Sequence, residues 1–261
     1  MFFLENNLMK ESISKLNAES VLKYYQSREV LNHYEEATRR VGLWKSEEII
    51  FKTTFPNVQS SILELGCGVG RISYSLWKLG YEKIIATDFS ENILKRAIKL
   101  NKVRNTQICF EIQDATRLSF DDYSFDGVIF GFNGLMQIPG RTNRILAIKE
   151  SFRVLNRGGH FVFTSHDRNF SKLKKFWIME RKKWKKGEQN PALIEFGDRF
   201  EQTSKGMLFI HVPEVEELKK DLKNAGFLLE KDVLRSKITE ESSLVREYSD
   251  ECRFWICRKP E

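Results

Sequence analysis

The chain has 261 residues, of which 41% are hydrophobic and 30% are charged, and its formal net charge is +7. This balance is typical of a folded globular protein and excludes a disordered chain. No segment approaches the roughly 20 apolar residues of a membrane span, so no membrane partner is expected. The length favours a single domain, residues 1–261, over two equal domains.

The N-terminal residues 1–59 predict helices. Residues 1–10 are interpreted as a frayed terminus, because Glu5 and two asparagines interrupt a faintly apolar segment and no cleavage site follows. Two amphipathic helices are predicted after it, one around Ala18 to Tyr34 and one around Glu35 to Phe51.

Residues 60–166 alternate between strand-like and helical patterns. The clearest helix is Arg141 to Leu155, with apolar residues on one face and a Gly-Gly pair beyond its end. Strands that alternate with helices predict an α/β fold, a doubly wound and mostly parallel sheet with helices on both faces. The strand-like runs are residues 60–65, 82–88, 106–114, 125–132 and 160–165.

Residues 167–212 are predicted to be an insertion after the fifth strand. Between Arg168 and Lys186 the sequence has nine basic residues and one acid, Glu180, which accounts for the positive net charge. As a helix, this segment places Phe170, Leu173, Phe176, Trp177 and Trp184 on one face. The leading interpretation is a solvated cap over the active site, and the alternative is a surface that binds RNA.

Residues 213–261 predict a helix from Pro213 to Ala225 and two further strands, residues 227–233 and 251–258. With the five earlier runs, these make seven strands. The four cysteines carry no spacing typical of a zinc site, so no metal is expected. They are interpreted as buried free thiols of a protein in the reducing cytoplasm.

A glycine loop follows the first strand directly and precedes a helical pattern. It reads Glu64-Leu65-Gly66-Cys67-Gly68-Val69-Gly70. Glycines at such a turn let backbone N–H groups approach a ligand closely, and the start of the helix adds partial positive charge. A dinucleotide fingerprint needs a third glycine at position 71, where this chain has Arg71. The spacing therefore argues against a nicotinamide cofactor.

Three further motifs follow the loop in a fixed order. Asp88 ends the second strand, 22 residues after Gly66, where a carboxylate can accept both hydroxyls of a ribose. Ser90 is predicted to cap the next helix. Gln113-Asp114-Ala115 ends the third strand, and Ser124-Phe125-Asp126-Gly127-Val128-Ile129 leads through the fourth to Phe130.

Together the four motifs resemble those of the class I S-adenosylmethionine-dependent methyltransferases. The resemblance covers residues 60–165 well and the residues from Pro213 onward loosely, and Asn156-Arg157 replaces the Lys-Pro that the family usually has before its Gly-Gly turn. It implies a Rossmann-like sheet whose last strand is antiparallel, with S-adenosyl-L-methionine as cofactor. The residues that it assigns to the cofactor are Glu64, Gly66, Cys67, Gly68, Gly70, Asp88, Phe89, Asp114, Ala115 and Phe130.

The acceptor is expected beyond the carboxyl ends of the strands, where open parallel sheets bind ligands. This position nominates Asn133 and His166 as catalytic residues and Arg168 as a substrate contact. His166 suits a general base, although a hydrogen-bonded loop histidine fits equally well, and His211 is a weaker candidate.

The aromatic residues of the N-terminal helices are predicted to form a lid. In similar enzymes such helices fold over the cofactor, which nominates Tyr25 and Trp44 as substrate contacts, with burial in the core as the alternative. The predicted function is methyl transfer to a small-molecule acceptor. The alternatives are an RNA (tRNA) methyltransferase that uses the basic segment 168–186, and a non-catalytic module that binds the cofactor.

Overall fold

Nine strands and ten α-helices are found in the computed structural model, which describes residues 16–170 and 173–261. The segment interpreted as a frayed terminus, residues 1–10, lies outside the described residues. The strands are β1 (Ile62–Leu65), β2 (Ile84–Asp88), β3 (Cys109–Ile112), β4 (Phe125–Phe130), β5 (Leu155–Ser165), β6 (Asp198–Thr203), β7 (Gly206–His211), β8 (Leu228–Leu234) and β9 (Arg253–Arg258).

Seven of these strands form one sheet in the order β3-β2-β1-β4-β5-β9-β8. The first five strands pair in parallel, and β9 lies antiparallel between β5 and β8. The predicted α/β fold, a doubly wound and mostly parallel sheet of seven strands with an antiparallel last strand, is confirmed. The strand order reverses between β1 and β4, which is the position where open parallel sheets form a ligand-binding crevice.

The helices cover the sheet and its carboxyl edge. They are α1 (Ala18–Tyr25), α2 (Arg28–Arg40), α3 (Lys45–Thr54), α4 (Arg71–Lys78), α5 (Glu91–Arg104), α6 (Arg141–Val154), α7 (Lys174–Lys186), α8 (Val215–Asn224), α9 (Arg235–Ile238) and α10 (Ser243–Tyr248). A short 3-10 helix, Gly134–Gln137, follows β4. None of the helices in the described parts of the chain is both long and apolar enough to cross a bilayer.

The N-terminal region has three helices where the sequence predicted two. The predicted helix from Ala18 to Tyr34 is interrupted at Ser27, whose hydroxyl accepts a hydrogen bond from the Val30 N–H at 3.1 Å and starts α2. Gly42, with a φ of +62°, follows the end of α2, and α3 then begins at Lys45. The prediction missed these two boundaries because the apolar periodicity continues across them.

The core lies on both faces of the sheet. Neighbouring residues of β1 show this, since Ile62 packs in one buried cluster and Leu63 in the other. Val128 and Ile129 of β4 alternate in the same way. Strands buried on both faces leave the sheet edges and strand ends as the places for a site.

The insertion consists of α7 and the hairpin of β6 and β7. The helix was predicted, whereas the hairpin was not. Both ends of the insertion meet at Arg168, whose guanidinium donates to the carbonyls of Val212 and Phe196 and pairs with Glu214 at 3.0 Å. The insertion also contacts the N-terminal helices, where Tyr24 and Thr203 hydroxyl oxygens lie 3.4 Å apart.

Candidate active site

The glycine loop turns the chain sharply between β1 and α4. Gly66, Gly68 and Gly70 all have positive φ angles, of 62°, 58° and 81°. Glycine adopts this left-handed backbone conformation readily, whereas a residue with a Cβ atom is strained in it. A methyl group added at Gly66 would lie 2.8 Å from Cε2 of Phe130, whereas one added at Gly68 would meet nothing within 4 Å. The loop is thus packed against β4 on one side and open toward a cavity at Gly68.

Replacing Gly66 with alanine is expected to lower the free energy of unfolding by more than the strain of its positive φ angle would account for. Gly42 is the matched control, because its φ of +62° equals that of Gly66 and an added methyl there meets nothing within 4 Å. Gly42→Ala should cost about 1–2 kcal/mol. Gly66→Ala should cost a further ~1–3 kcal/mol through its clash with Phe130. Urea unfolding measures both, and equal losses would contradict the close packing of Gly66 on Phe130.

Asp88 joins the end of β2 to the glycine loop. Its carboxylate accepts hydrogen bonds from the Gly68 N–H at 2.9 Å and from the Ser90 N–H at 2.8 Å. Burial raises the pKa of Asp88, and these N–H donors oppose the shift. Ser90 precedes α5 as predicted, but its hydroxyl makes no cap hydrogen bond and is buried without a partner among the described residues.

Glu64 lies beneath the loop and is 2% exposed. Its carboxylate accepts a hydrogen bond from the Ser73 N–H of α4 at 2.9 Å. Burial raises the pKa of Glu64 to about 8, although Ser73 and Arg71 counteract it. Glu64 therefore holds a proton through much of the neutral range and ties β1 to the first turn of α4.

A cavity of about 330 Å³ opens at the carboxyl ends of β1, β2 and β4. This volume lies within the roughly 300–1,000 Å³ range of small-molecule sites. Most of the residues that the sequence assigned to the cofactor meet here. Those that line the cavity are Gly66, Gly68, Asp88, Phe89, Asp114, Ala115 and Phe130.

Three other residues assigned to the cofactor lie behind this wall. Glu64 and Cys67 line a smaller cavity of about 50 Å³, which shares Gly66 and Gly68 with the larger one. Gly70 lines neither cavity and occupies the N-cap position of α4. Their role in the fold is to shape the loop that Gly66 and Gly68 present.

The first two helices close the cavity from the other side. Val21, Leu22 and Tyr25 of α1 and Tyr34 of α2 line it, so the predicted lid lies over the candidate cofactor site. The Tyr25 and Tyr34 rings lie 5.9 Å apart, and the Tyr25 hydroxyl donates a hydrogen bond to the Gln137 side chain. Burial raises the pKa of both tyrosines, so both hydroxyls stay protonated at neutral pH.

Gln137 and Asn143 were not predicted and also line the cavity. Gln137 ends the 3-10 helix after β4, and Asn143 lies in the first turn of α6, where its amide donates to the Pro139 carbonyl at 2.9 Å. Their place after the fourth strand was the available signal, since ligands of parallel sheets bind beyond such strand ends.

Asn133 and His166, the two nominated catalytic residues, contact each other outside the cavity. The His166 Nδ1–H donates to the Glu251 carbonyl at 3.0 Å, so Nε2 is the acceptor and faces the Asn133 amide nitrogen at 3.3 Å. Burial lowers the pKa of His166, which keeps the ring neutral at neutral pH. Neither residue is part of the cavity lining. The pair orients the turn between β4 and the 3-10 helix.

The structure places Trp44 and Arg168 away from the cavity as well. Trp44 is 1% exposed, and its ring packs against the guanidinium of Arg71 at 5.0 Å. Arg168 is engaged by the ends of the insertion and lies 5.4 Å from the Trp177 ring. Of the three nominated substrate residues, the structure brings only Tyr25 to the cavity.

His211 lies in a buried cluster beneath the insertion. Its Nδ1 is 2.8 Å from Asp198 Oδ1, and the potential ligand atoms of Glu195, Asp198 and His211 lie within 4.8 Å of one another. These atoms already have partners: Asp198 accepts from the Ile194 and Glu195 N–H groups, and Glu195 pairs with Arg144 at 2.6 Å. The cluster is explained by these hydrogen bonds, which hold the hairpin on α6.

The comparisons with known proteins agree with this geometry. Residues 62–159 match the family model of a methyltransferase domain. The chain is 32% identical over 147 residues to a ubiquinone/menaquinone biosynthesis C-methyltransferase of Rickettsia felis. The matched segment covers 53% of this chain and 54% of that protein. The chain thus spans about half the length of the curated relatives that it matches.

Two solved structures show the same fold. A protein of Methanosarcina mazei described as an S-adenosylmethionine-dependent methyltransferase superimposes with a TM-score of 0.65 at 21% identity, covering 84% of this chain and 99% of the other. The [4+2]-cyclase SpnF superimposes with a TM-score of 0.59 at 17% identity, covering 82% of this chain and 80% of the other. Because the second is described as a cyclase, the shared fold alone does not identify a reaction.

Proposed function

We propose that this chain is a class I S-adenosylmethionine-dependent methyltransferase and that it transfers a methyl group from S-adenosylmethionine to a small-molecule acceptor. The observation that carries the proposal is the meeting of Gly66, Gly68 and Asp88 in one cavity, closed by the apolar and aromatic residues of α1 and α2. The matching methyltransferase domain supports it.

The residues of the cavity fit this cofactor. Gly68 opens onto the cavity, and Asp88 offers a carboxylate where a ribose would present two hydroxyls. The Ser90 hydroxyl, which has no partner in the part of the chain that the structure describes, also lines the cavity. Phe89 and Ile93 provide apolar surface, and Asp114 provides an acceptor for an amino group. S-adenosylmethionine supplies a methyl group on a sulfonium, which is already activated for in-line displacement.

The chain's own contribution is to align the partners and to exclude water. Among the described residues, the titratable groups that line the cavity are Asp88, Asp114, Tyr25 and Tyr34. The two tyrosines stay protonated, so they act as hydrogen-bond donors and not as bases. We therefore favour a neutral acceptor whose nucleophilic atom needs no strong base.

The small-molecule acceptor is favoured over RNA by two observations. The Rickettsia felis relative is named for the biosynthesis of ubiquinone and menaquinone, which are not nucleic acids. In addition, Trp177 is buried against Phe196, so it offers no face on which a base could stack. The four free cysteines support a reducing location, and we propose that the chain acts in the cytoplasm as a single methyltransferase domain.

An acceptor screen tests the proposed function. Purified protein and S-adenosylmethionine are incubated with a small-molecule panel or with total tRNA, and release of S-adenosylhomocysteine is measured. The panel combines pyridines and thioethers, which need no base, with phenols and quinols, which do. Release is expected with members of the small-molecule panel and not with tRNA, and Asp88→Ala should abolish most of it. Release with tRNA alone would support the RNA alternative, and cofactor binding with no release for any acceptor would support the non-catalytic one.

A further inference from the structure

The outer face of α7 is a separate feature that the cavity does not use. Its exposed residues combine lysines with aliphatic side chains, since Ile178 is 53% exposed and Met179 is 62% exposed. Isolated exposed apolar residues are ordinary, but here they stand among cations on one helix. The exposed lysines of α7 are Lys174, Lys175, Lys182, Lys183, Lys185 and Lys186.

Most of this positive charge has no internal partner. Lys183 pairs with Glu180 at 2.6 Å, and Lys186 lies 4.0 Å from Glu188. The other four lysines have no ion pair within residues 16–170 and 173–261. Three of these four also border an open groove of about 360 Å³. The groove is lined by Lys174, Ile178, Lys182 and Lys185, together with Arg168, Asn169, Trp177, Arg181 and Glu214.

The inner face of α7 holds the helix in place. Trp177 is 6% exposed and packs edge-on against Phe196, with the ring centroids 5.8 Å apart. The Trp184 ring lies 6.3 Å from the same phenylalanine, and Arg181 lies over it at 4.7 Å. The lysine face is therefore preformed, because packing on the inner side fixes which residues point outward.

The chemistry of the outer face discriminates between possible anionic partners. Single-stranded RNA is bound by aromatic and arginine side chains that stack on bases. Here the exposed aromatic side chain of α7, Phe176, packs against the Arg199 guanidinium and the Trp177 ring. Trp177 is 6% exposed although it borders the groove, and Arg181 is engaged by Phe196 and Glu214. Lysines interspersed with aliphatic residues instead match a phospholipid surface, where the ammonium groups reach the phosphates and the aliphatic chains enter the headgroup layer.

We propose that the outer face of α7 docks on the surface of an anionic phospholipid bilayer. This goes beyond the proposed methyl transfer and does not depend on it. Surface docking requires no spanning helix, so it is compatible with the absence of one among the described residues. It revises the expectation that the chain has no membrane partner. The groove beside Ile178 would accommodate a lipid headgroup next to the lysines.

Vesicle co-sedimentation of the whole protein tests the docking. The probes are vesicles of phosphatidylcholine mixed with phosphatidylglycerol and vesicles of pure phosphatidylcholine, at roughly 0.15 M ionic strength. Binding is expected to the mixed vesicles and not to the neutral ones. Each lysine near such a surface is worth about a fivefold change in partition coefficient, so Lys182→Gln with Lys185→Gln should lower it roughly 25-fold.

A second lysine pair provides the matched control. Lys99 and Lys102 are exposed on α5, so Lys99→Gln with Lys102→Gln removes the same charge elsewhere and should leave vesicle binding unchanged. Ile178→Ser should weaken binding without any change of charge. Equal binding to neutral vesicles, or equal losses in both lysine pairs, would overturn the proposal. A third contradicting result would be tRNA binding in a gel shift, lost in the Lys182→Gln, Lys185→Gln variant, together with no binding to vesicles. That result would assign the outer face of α7 to RNA. Calorimetry with S-adenosylmethionine separates any of these outcomes from failure of the cofactor site.

Discussion

Replacing Asp88 with alanine is expected to weaken S-adenosylmethionine binding by at least about 100-fold. The carboxylate is fixed in the cavity by the N–H groups of Gly68 and Ser90, at 2.9 and 2.8 Å, with its remaining acceptor capacity available to a ligand. A hydrogen bond to a charged group contributes about 1.5–3 kcal/mol, and a ribose offers two hydroxyls. The loss also frees the glycine loop from β2. Isothermal titration calorimetry measures the change.

A nearby acid serves as the control for Asp88. Glu91 begins α5 three residues later and forms an exposed ion pair with Lys95 at 2.9 Å. Glu91→Gln removes one negative charge near the cavity without removing an acceptor that lines it, so its affinity should stay within about twofold of the wild type, as for other exposed pairs. If Asp88→Ala binds the cofactor as Glu91→Gln does, the assignment of the ribose site is wrong.

Replacing Glu47 with alanine is expected to be the most destabilising single change in the N-terminal helices. Glu47 and Arg71 form a bidentate pair with two contacts of 2.6 Å, and their side chains are 1% and 9% exposed. Glu47 also accepts from the Trp44 N–H at 2.9 Å. Without Glu47 the guanidinium stays buried beside Trp44, and the Gly42 carbonyl is the acceptor left to it among the described residues. Breaking a buried pair in this way costs about 3–5 kcal/mol.

The next residue of the same helix supplies the comparison. Glu48 pairs with Lys52 at 2.6 Å, but this pair is exposed, with side-chain exposures of 43% and 52%. Glu48→Ala should therefore cost at most about 1 kcal/mol. Both values come from urea unfolding of the cofactor-free protein. A Glu47→Ala variant that is as stable as Glu48→Ala would show that the buried pair does not hold α3 to α4.

The sheet could be predicted from the sequence because its strands carry local signals. Runs such as Phe125–Phe130 are short, apolar and bounded by turns, and the alternation with helices then fixes the parallel arrangement. The boundary at Ser27 was missed, although the serine that caps α2 is a local signal for it. The hairpin of β6 and β7 was missed because its two-residue turn, Ser204-Lys205, lies within a segment treated as one insertion.

The sequence predicted those residues of the candidate site that lie at the ends of strands. Gly66 and Asp88 follow from their positions after β1 and β2, and they line the cavity as the sequence suggested. Burial of Trp44 and the direction of the His166 ring depend on distant partners, since His166 is held by the carbonyl of Glu251, 85 residues later. No local pattern of residues contains that information, so strand-end position alone could not separate His166 from a cavity residue.

The insertion is joined both to the end of β5 and to the N-terminal helices. At its base, one side chain, Arg168, holds both ends of the excursion through Val212, Phe196 and Glu214. At its far side, the Leu16 N–H donates to the Ala192 carbonyl at 3.2 Å, and Leu16 lies two residues before the start of α1, which covers the cavity. A change in the position of the insertion would therefore bear on α1, whose residues line the candidate cofactor cavity.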